Sequence, residues 1–187
     1  MALTQYLALL RGINVGGNNL IKIPALKASF ETMGFGAVAT YIQSGNVLFE
    51  ASGADAAELV RQIERALSEA FRYRSTVVLR SRRQMRDVVA RAPRGFGEDP
   101  GQRRYDVIFL KEPLSAAQAM KSVTAKEGVD EAFPGDGVLY FTRLISKATQ
   151  SRLGRIAGLP IYRQITIRNW NTTTKLEAMM QSRDRGA

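Results

Sequence analysis

The sequence predicts an α+β protein made of two ferredoxin-like halves, and three observations support this prediction. Short apolar segments of strand type alternate with amphipathic helical segments along the chain. The segment VVLRS at 77–81 matches ITIRN at 165–169, at an offset of 88 residues. The segment GNVLF at 45–49 likewise matches GVLYF at 137–141. Repeated βαβ-containing halves indicate two ferredoxin-like units, and one continuous doubly wound sheet is the alternative.

The length of 187 residues fits one domain or two small ones. Prolines and glycines concentrate just after residue 92, in the stretch that precedes the second half. We therefore predict a first half over 1–92, a linker over 93–102 and a second half over 103–187.

In the first half, we predict a strand at 5–10, a helix that begins near Pro24 and ends at Gly34, and strands at 38–43 and 46–50. A helix at 54–71, a strand at 76–79 and a helix opened by the capping box at 81–84 follow. The two longer helices each carry an apolar stripe, formed by Leu26, Phe30 and Met33 and by Leu59, Ile63, Leu67 and Phe71.

In the second half, we predict strands at 105–110, 137–141 and 164–167. A short helix capped by Ser115 follows the first of these strands. A second helix, marked by Leu153 and Ile156, ends at Gly158. The last helix starts at Asn171 or Thr172, which serves as its N-cap.

The chain contains neither cysteine nor histidine, which excludes several kinds of chemistry. It cannot build a Ser-His-Asp triad, a Cys-His pair or a His/Cys zinc site. A general base near neutral pH would be a carboxylate or a lysine. We predict no metal site, and the motifs indicate no particular cofactor. The amino terminus lacks a basic region and a long apolar run, so we expect a cytoplasmic protein without a membrane partner.

The net charge of +10 is unevenly distributed. Between Arg61 and Arg104 there are twelve arginines and five acidic residues, which gives +7 for this segment. Such an excess favours polyanions, either nucleic acid or phosphorylated ligands. The alternative is a solvated, arginine-rich surface without a partner.

The first motif is RGINVGGNN at 11–19, which follows the first strand. It lacks the Lys-Ser/Thr of a P-loop and the GxGxxG spacing of a dinucleotide fingerprint. Its candidate ligand-binding residues are Arg11, Gly12, Asn14, Gly16 and Gly17. Glycines allow backbone N–H groups to approach an anion, with Arg11 as the charged partner. Alternatively, the glycines serve only the geometry of a long loop.

The second motif is YIQSGNV at 41–47, in which Gln43, Ser44 and Asn46 offer polar side chains at a strand end. Ser-Gly-Asn also forms ordinary turns, which is the alternative explanation. The Ser146-Lys147 pair could act as a nucleophile and a base, but adjacent residues rarely face one another.

The third motif is RNWNTTTK at 168–175, which contains the single tryptophan. Free N–H groups at a helix start could bind phosphate, and an indole could stack on a base. A plain helix cap with a tryptophan wedge is the alternative. The candidate ligand-binding residues are Arg168, Asn169, Trp170, Asn171, Thr172 and Lys175.

These motifs occur in order along the chain, and together they resemble a bacterial family known only as a domain of unknown function. The resemblance covers nearly the whole chain and implies a fold of two intertwined ferredoxin-like units. It implies no activity, substrate or catalytic residue. One departure is Thr173, which stands where the family pattern has a more apolar residue.

Three functional hypotheses follow. The first is a module that binds a phosphate-bearing ligand, a nucleotide or nucleic acid, in an electropositive site between the two halves. The second is a histidine-independent enzyme acting on a small anionic substrate, which needs a carboxylate such as Glu50, Asp106 or Asp136 beside the glycine loop. The third is an interaction protein whose motifs are purely structural.

Overall fold

The computed structural model describes residues 3–14, 19–52 and 55–182. The first part of the chain forms β1 (Leu3–Leu10), α1 (Ile23–Thr32), β2 (Gly36–Tyr41), β3 (Asn46–Ser52), α2 (Ala56–Phe71), β4 (Val77–Ser81) and α3 (Arg82–Ala90). The second part forms β5 (Arg103–Leu110), α4 (Ala116–Ser122), β6 (Asp130–Pro134), β7 (Val138–Leu144), β8 (Ile165–Asn169) and α5 (Trp170–Ser182). Three 3₁₀ turns, Ile145–Gln150, Leu153–Gly158 and Pro160–Gln164, lie between β7 and β8.

The strands form two four-stranded sheets with the same internal order. The first sheet has the order β2-β3-β1-β4, and the second has the order β6-β7-β5-β8. Every neighbouring pair is antiparallel. The prediction of two ferredoxin-like α+β units is therefore confirmed. The alternative of one doubly wound sheet is wrong, because that fold needs mostly parallel neighbours.

The chain divides into two compact units. The first unit contains the described residues up to Met85 and the end of α5 from Met179. The second unit is Arg86–Ala178. The segment 93–102, which the sequence predicts to be a linker, lies within this second unit, and its Phe96 is buried.

The internal repeat has a direct counterpart in the backbone hydrogen bonds. The Leu10 N–H donates to the Gly45 carbonyl at 2.8 Å, and the Leu110 N–H donates to the Gly137 carbonyl at 2.9 Å. In the same way, the Arg11 N–H donates to Thr76, and the Lys111 N–H donates to Gln164. These equivalent bonds give matching positions in the two sheets. The paired residues are Leu10 with Leu110, Gly45 with Gly137, and Thr76 with Gln164.

The core of the first unit lies between its sheet and helices α1 and α2. The rings of Phe30, Phe35 and Phe49 pack together, and the shortest centroid distance, between Phe35 and Phe49, is 4.5 Å. The predicted helical stripes face this core, because Leu26 and Phe30 of α1 and three residues of α2 are buried. The α2 residues are Leu59, Ile63 and Leu67.

Three elements of the second unit differ from the sequence-based prediction. Strand β6 was not predicted, because its sequence, DEAFP, contains two acidic residues and a proline, which are uncommon in strands. The predicted helix that ends at Gly158 is a 3₁₀ turn, Leu153–Gly158, with Gly154 inside it, and a further 3₁₀ turn starts at Pro160. The last helix begins at Trp170, before the predicted start.

The capping boxes were predicted correctly. Ser81 and Gln84 exchange backbone and side-chain hydrogen bonds at the start of α3. Ser115 and Gln118 do the same at the start of α4. Both helices are thereby fixed to the strand or loop that precedes them.

Candidate anion-binding site

The glycine corner, residues 11–14 and 43–46 of the first unit, joins the first two motifs. Asn14 has a φ of +53°, and both polar atoms of its side chain form hydrogen bonds with the backbone. Its Nδ2 donates to the carbonyls of Ile21 at 3.0 Å and Gln43 at 2.9 Å, and its Oδ1 accepts from the Ile21 N–H at 2.8 Å. These contacts support a structural role for Asn14. Gly16 and Gly17 lie outside the described residues.

The second motif is held within the same corner. Asn46 is buried, and its Nδ2 donates to the Tyr41 carbonyl and to Ser44 Oγ. Gly45 has a φ of +76°, and a Cβ there would lie 2.8 Å from the Cβ of Leu10. The Gln43 side chain, in contrast, is exposed. The Asn46 and Gly45 contacts favour the turn interpretation of this motif.

Gly12 and Arg11 complete the glycine corner. Gly12 has a φ of +68°, and a Cβ there would meet nothing within 4 Å. Its carbonyl accepts from Asn19 Nδ2 at 2.9 Å. Arg11 is half-buried. At the start of this loop, the backbone is thus shaped by left-handed residues and by asparagine side chains.

The tryptophan corner, residues 168–172 of the second unit, contains most of the third motif. Asn169 Oδ1 accepts from the Thr172 N–H at 2.7 Å, so Asn169 is the N-cap of α5. The prediction that Asn171 or Thr172 caps this helix is therefore wrong, and the Thr172 N–H is not free for a ligand. Thr173 is fully buried, and its hydroxyl donates to the Asn169 carbonyl.

The two cations of this motif have different environments. Arg168 is buried, and its Nη1 donates to Thr166 Oγ1 and to the Ile167 carbonyl, both at 2.8 Å. Burial lowers the pKa of Arg168 to about 10. Arg80, its counterpart in the first repeat, is also buried and donates to the preceding Leu79 carbonyl. Lys175 is exposed on α5.

A hollow of about 320 Å³ lies where β5 begins and β8 ends, and we call it the arginine hollow. It is built entirely from residues of the second unit. Its polar and aromatic lining consists of Arg103, Arg104, Tyr105, Asp106, Arg143, Asn169, Trp170 and Asn171. The structure thus brings Asn169, Trp170 and Asn171 of the third motif together with three arginines.

The sheet register explains why these charges converge. Arg104 on β5 is directly opposite Arg143 on β7, and Asp106 is opposite Asn169 on β8. Since alternate strand residues share a face, Arg104 and Asp106 point to the same side of the sheet. Arg143 Nη1 lies 3.5 Å from Asp106 Oδ2.

Asp106 is the carboxylate of the arginine hollow. Its side chain is 13% exposed, and its Oδ2 makes no hydrogen bond with any residue in the described ranges. Burial raises the pKa of Asp106, while Arg143 and Arg104 act in the opposite direction. Burial is the larger effect, so the protonated carboxyl is favoured relative to an exposed aspartate.

The indole of Trp170 is held in place by packing contacts within the second unit. Its indole packs edge-to-face with Phe96, with centroids 5.2 Å apart and planes at 88°. Gly97 has a φ of +90°, and a Cβ there would overlap the indole. Phe96 also contacts Tyr105 and Tyr140 edge-on. The half-buried indole therefore presents a defined ring surface to the arginine hollow.

A second hollow of about 280 Å³ lies on the opposite face of this sheet, beside Tyr105 and Thr142, and we call it the aromatic hollow. It shares Arg103 and Tyr105 with the arginine hollow. Arg103 Nη2 pairs with Glu131 Oε1 at 2.8 Å, and its buried Nη1 has no hydrogen-bond partner among the described residues. Its lining also includes Arg94, Phe96, Asp99, Phe133 and Thr142.

Sequence reasoning did not select the arginines of the site. Arg103 and Arg104 end the arginine-rich segment that was noted only for its total charge. Arg143 belongs to no motif, and only the strand pairing brings it opposite Arg104. The internal repeat could have been used to predict the register of β5 and β7, which places Arg104 opposite Arg143.

The fold and the hollow define an α+β protein of two ferredoxin-like units with an arginine-lined site in the second. The chain belongs to the family described as "protein of unknown function (DUF1697)", which matches residues 3–140. The conserved bacterial protein SP0830 from Streptococcus pneumoniae has a similar structure, with a TM-score of 0.82 and 26% sequence identity. The match covers 96% of this chain and 99% of that chain. No curated protein sequence matches the chain.

Two further findings concern membranes and metals. In the described ranges, no helix has the length and apolar character needed to cross a bilayer. Across the same residues, no three acidic side chains come close enough together to hold a metal ion.

Proposed function

We propose that this protein binds a phosphate-bearing ligand in the arginine hollow. The observation that carries the proposal is the convergence of Arg104 and Arg143 beside a single carboxylate, Asp106. Arg103 also lines the hollow, but its charge is compensated by Glu131 at 2.8 Å. Arg104, Arg143 and Asp106 therefore leave one net positive charge, which favours an anion such as the phosphate of a monoester.

The type of cation also favours phosphate. Guanidinium groups are planar and donate pairs of hydrogen bonds that match phosphate oxygens. The Arg143 side chain is only 26% exposed, so its interactions with an anion are less screened than those on an open surface. Asn171 adds an exposed side-chain amide at the rim.

The dimensions favour a small ligand over a polynucleotide. A volume of about 320 Å³ is at the lower end of the range for small-molecule sites. The indole of Trp170 offers one aromatic surface beside the cations, which suits a ligand that carries a ring as well as a phosphate. We therefore favour a nucleotide over nucleic acid.

Isothermal titration calorimetry with inorganic phosphate and with nucleotides tests the proposal. We expect saturable binding that Arg143→Ala weakens by about tenfold, the effect of one charge-assisted hydrogen bond. The matched control is Arg61→Ala on α2, where an exposed arginine pairs with Glu58, and it should leave the affinity unchanged. Absence of phosphate and nucleotide binding, or equal loss in both variants, would refute the proposal.

A second candidate function is a histidine-independent enzyme on the same anionic ligand. The observation that favours it is the buried carboxylate of Asp106, whose Oδ2 has no hydrogen-bond partner among the described residues and whose pKa is raised by burial. A carboxylate of raised pKa can act as a general base or acid.

Incubation of the protein with phosphate monoesters, followed by ³¹P NMR, tests this candidate. If the protein is an enzyme, we expect the wild type to turn over a phosphate monoester. We expect Asp106→Asn to abolish this turnover and to retain phosphate binding. No turnover in the wild-type protein would remove the enzymatic candidate and leave the binding proposal intact.

A further inference from the structure

We propose that the aromatic hollow is a second binding site and that its ligand is an aromatic α-amino acid. This inference goes beyond the proposed function, because the aromatic hollow and the arginine hollow lie on opposite faces of the second sheet. Three observations carry it. They are two buried polar atoms that have no hydrogen-bond partner among the described residues, a lining with charges of both signs, and an aromatic wall.

The strand register places the polar groups of the aromatic hollow in one row across three strands. Tyr105 on β5 is directly opposite Thr142 on β7, and Thr142 is directly opposite Glu131 on β6. Residues opposite one another share a face of the sheet, and Arg103, two positions before Tyr105, shares it too. Because β7 lies between β5 and β6, the 2.8 Å ion pair of Arg103 with Glu131 crosses the strand that carries Thr142. The guanidinium group and the hydroxyl therefore belong to the same part of the hollow.

Two polar atoms in this part of the hollow are buried without a hydrogen-bond partner among the described residues. They are Nη1 of Arg103 and Oγ1 of Thr142, a residue that is only 4% exposed. A buried polar group without a partner is costly, and the cost is larger for a charged group. A carboxylate accepts hydrogen bonds from both a guanidinium and a hydroxyl, and rotation about χ1 can turn the hydroxyl toward it. This is the position of the ligand's carboxylate.

The lining of the aromatic hollow carries two positive and two negative charges. The cations are Arg94 and Arg103, and the anions are Asp99 and Glu131. Such a lining has no net preference for an anion or a cation, whereas a zwitterion is complementary to both signs at once.

Asp99 is the acid that receives the ligand's ammonium group, because Glu131 already pairs with Arg103. The Asp99 N–H donates to the Tyr105 hydroxyl at 3.2 Å, which holds Asp99 at the end of the Tyr105 side chain. An α-amino acid carries an ammonium and a carboxylate on one carbon, so a single small ligand supplies both groups.

The wall of the aromatic hollow indicates that the side chain of the amino acid is a ring. Phe96, Tyr105 and Phe133 contribute three aromatic side chains. Phe96 packs edge-on against Tyr105 at a centroid distance of 5.0 Å, so this part of the wall is preformed, and Phe133 is half-buried. Rings bind to such walls by stacking and edge contacts. A volume of about 280 Å³ is just below the usual range for small-molecule sites, which suits one amino acid.

Isothermal titration calorimetry with free amino acids tests this inference. The probes are L-phenylalanine, L-tyrosine, L-tryptophan and L-alanine, with the N-acetyl and C-terminal amide derivatives of the three aromatic ones. We expect at least one aromatic amino acid to bind, and to bind more tightly than L-alanine. Each derivative lacks one of the two charges, so we expect it to bind at least about tenfold more weakly than its parent.

Thr142→Val separates a role in binding from a role in stability. The hydroxyl has no hydrogen-bond partner among the described residues, so its removal should not lower the free energy of unfolding. Amino-acid affinity should nevertheless fall by about threefold to tenfold. The matched control is Thr124→Val, at an exposed threonine of the second unit outside the lining, and it should alter neither quantity.

Asp99→Asn is the second variant, and it changes an exposed side chain, so it serves if Thr142→Val does not fold. It should weaken binding of the amino acid by about tenfold and leave the weaker binding of the N-acetyl derivative unchanged.

Absence of binding by every aromatic amino acid would overturn the inference. Derivatives that bind as tightly as their parents would also overturn it, since the site would then not recognise a zwitterion. Wild-type affinity in both Thr142→Val and Asp99→Asn would do the same. None of these outcomes bears on phosphate binding in the arginine hollow, so the proposed function is tested separately.

Discussion

The two sheets have the same strand order, but the ends of their central strands carry different residues. Counting from the equivalent hydrogen bonds of Leu10 and Leu110, β1 and β5 can be compared position by position. The second sheet has charged residues where the first has neutral ones. The matched positions are Leu3 and Arg103, Thr4 and Arg104, Tyr6 and Asp106, and Ala51 and Arg143.

This difference shows that the ferredoxin-like fold does not require charged residues at this end of the sheet. The first sheet forms with the neutral pair Thr4 and Ala51 in register, where the second pairs two arginines. Like charges directly opposite one another are destabilising, and a half-buried cation also loses hydration. The charged strand end is therefore not a requirement of the ferredoxin-like unit, which is the difference that the proposed anionic ligand would explain.

The largest expected effect comes from giving the second sheet the residues of the first. The double variant Arg104→Thr, Arg143→Ala removes two charge-assisted contacts, and we expect it to weaken phosphate binding by about 3 kcal/mol, roughly a hundredfold. Calorimetry measures this loss, and circular dichroism checks that the fold persists.

The result would contradict the comparison if the double variant bound phosphate as well as the wild type. A matched control on the first sheet is Thr4→Ala, which changes the equivalent of Arg104 and should leave phosphate affinity unaltered.

The next largest effect is expected from two glycine substitutions, one in the glycine corner and one at the glycine that contacts Trp170 of the tryptophan corner. Gly97→Ala forces a methyl group into the Trp170 indole at a positive φ, and Gly45→Ala forces one against Leu10 and Ile13. We expect each to lower the free energy of unfolding by about 3 kcal/mol, as measured by denaturant unfolding.

Only Gly97→Ala should also weaken ligand binding, because only this substitution displaces a residue of the arginine hollow. Equal loss of affinity in both variants would show that the glycine corner also contributes to the site.

Asn14→Ala tests the structural role of the glycine corner. The substitution removes two donated hydrogen bonds and one accepted one, so we expect a loss of about 2 kcal/mol in the free energy of unfolding. Phosphate affinity should not change. Preserved stability with reduced affinity would reverse this assignment and favour a ligand-binding glycine corner.

The smallest effect concerns the charge of Asp106. Burial raises its folded-state pKa above the unfolded value of about 3.9. The stability that this group contributes is thus complete below the unfolded pKa and is lost as the pH rises through the folded pKa. Ionisation also places a negative charge among the arginines, so anion binding should weaken over the same rise in pH.

Sulfate is a suitable probe, because it keeps its charge over this range. We expect sulfate binding by the wild type to tighten several-fold, by about 1 kcal/mol, as the pH falls through the pKa of Asp106. Asp106→Asn should bind sulfate tightly at every pH. The same pH dependence in both proteins would assign the effect to another group.

The sequence was sufficient for most of the architecture. Periodic residues such as Leu59, Ile63 and Leu67 marked a helix face, and the repeat GNVLF against GVLYF located equivalent strands. Capping boxes at Ser81 and Ser115 were readable because they depend on residues three positions apart.

The site was readable only in part, for a physical reason. Asn169, Trp170 and Asn171 were found because they are contiguous, whereas Arg104 and Arg143 lie far apart in sequence and meet only through strand register. The cap of α5 was misplaced because several residues in RNWNT can cap a helix, and Asn169 is the one whose Oδ1 accepts from Thr172. Local patterns identify local structure, while convergence across a sheet requires the pairing.

The position of Trp170 has a practical consequence. This residue is the only tryptophan in the chain, and its half-buried indole lies beside the cations of the arginine hollow. Its fluorescence, excited at the red edge where tyrosine absorbs little, therefore reports on one place in the molecule. The protein carries an intrinsic optical probe at its own candidate site, and ligand titrations can be followed in it without any label.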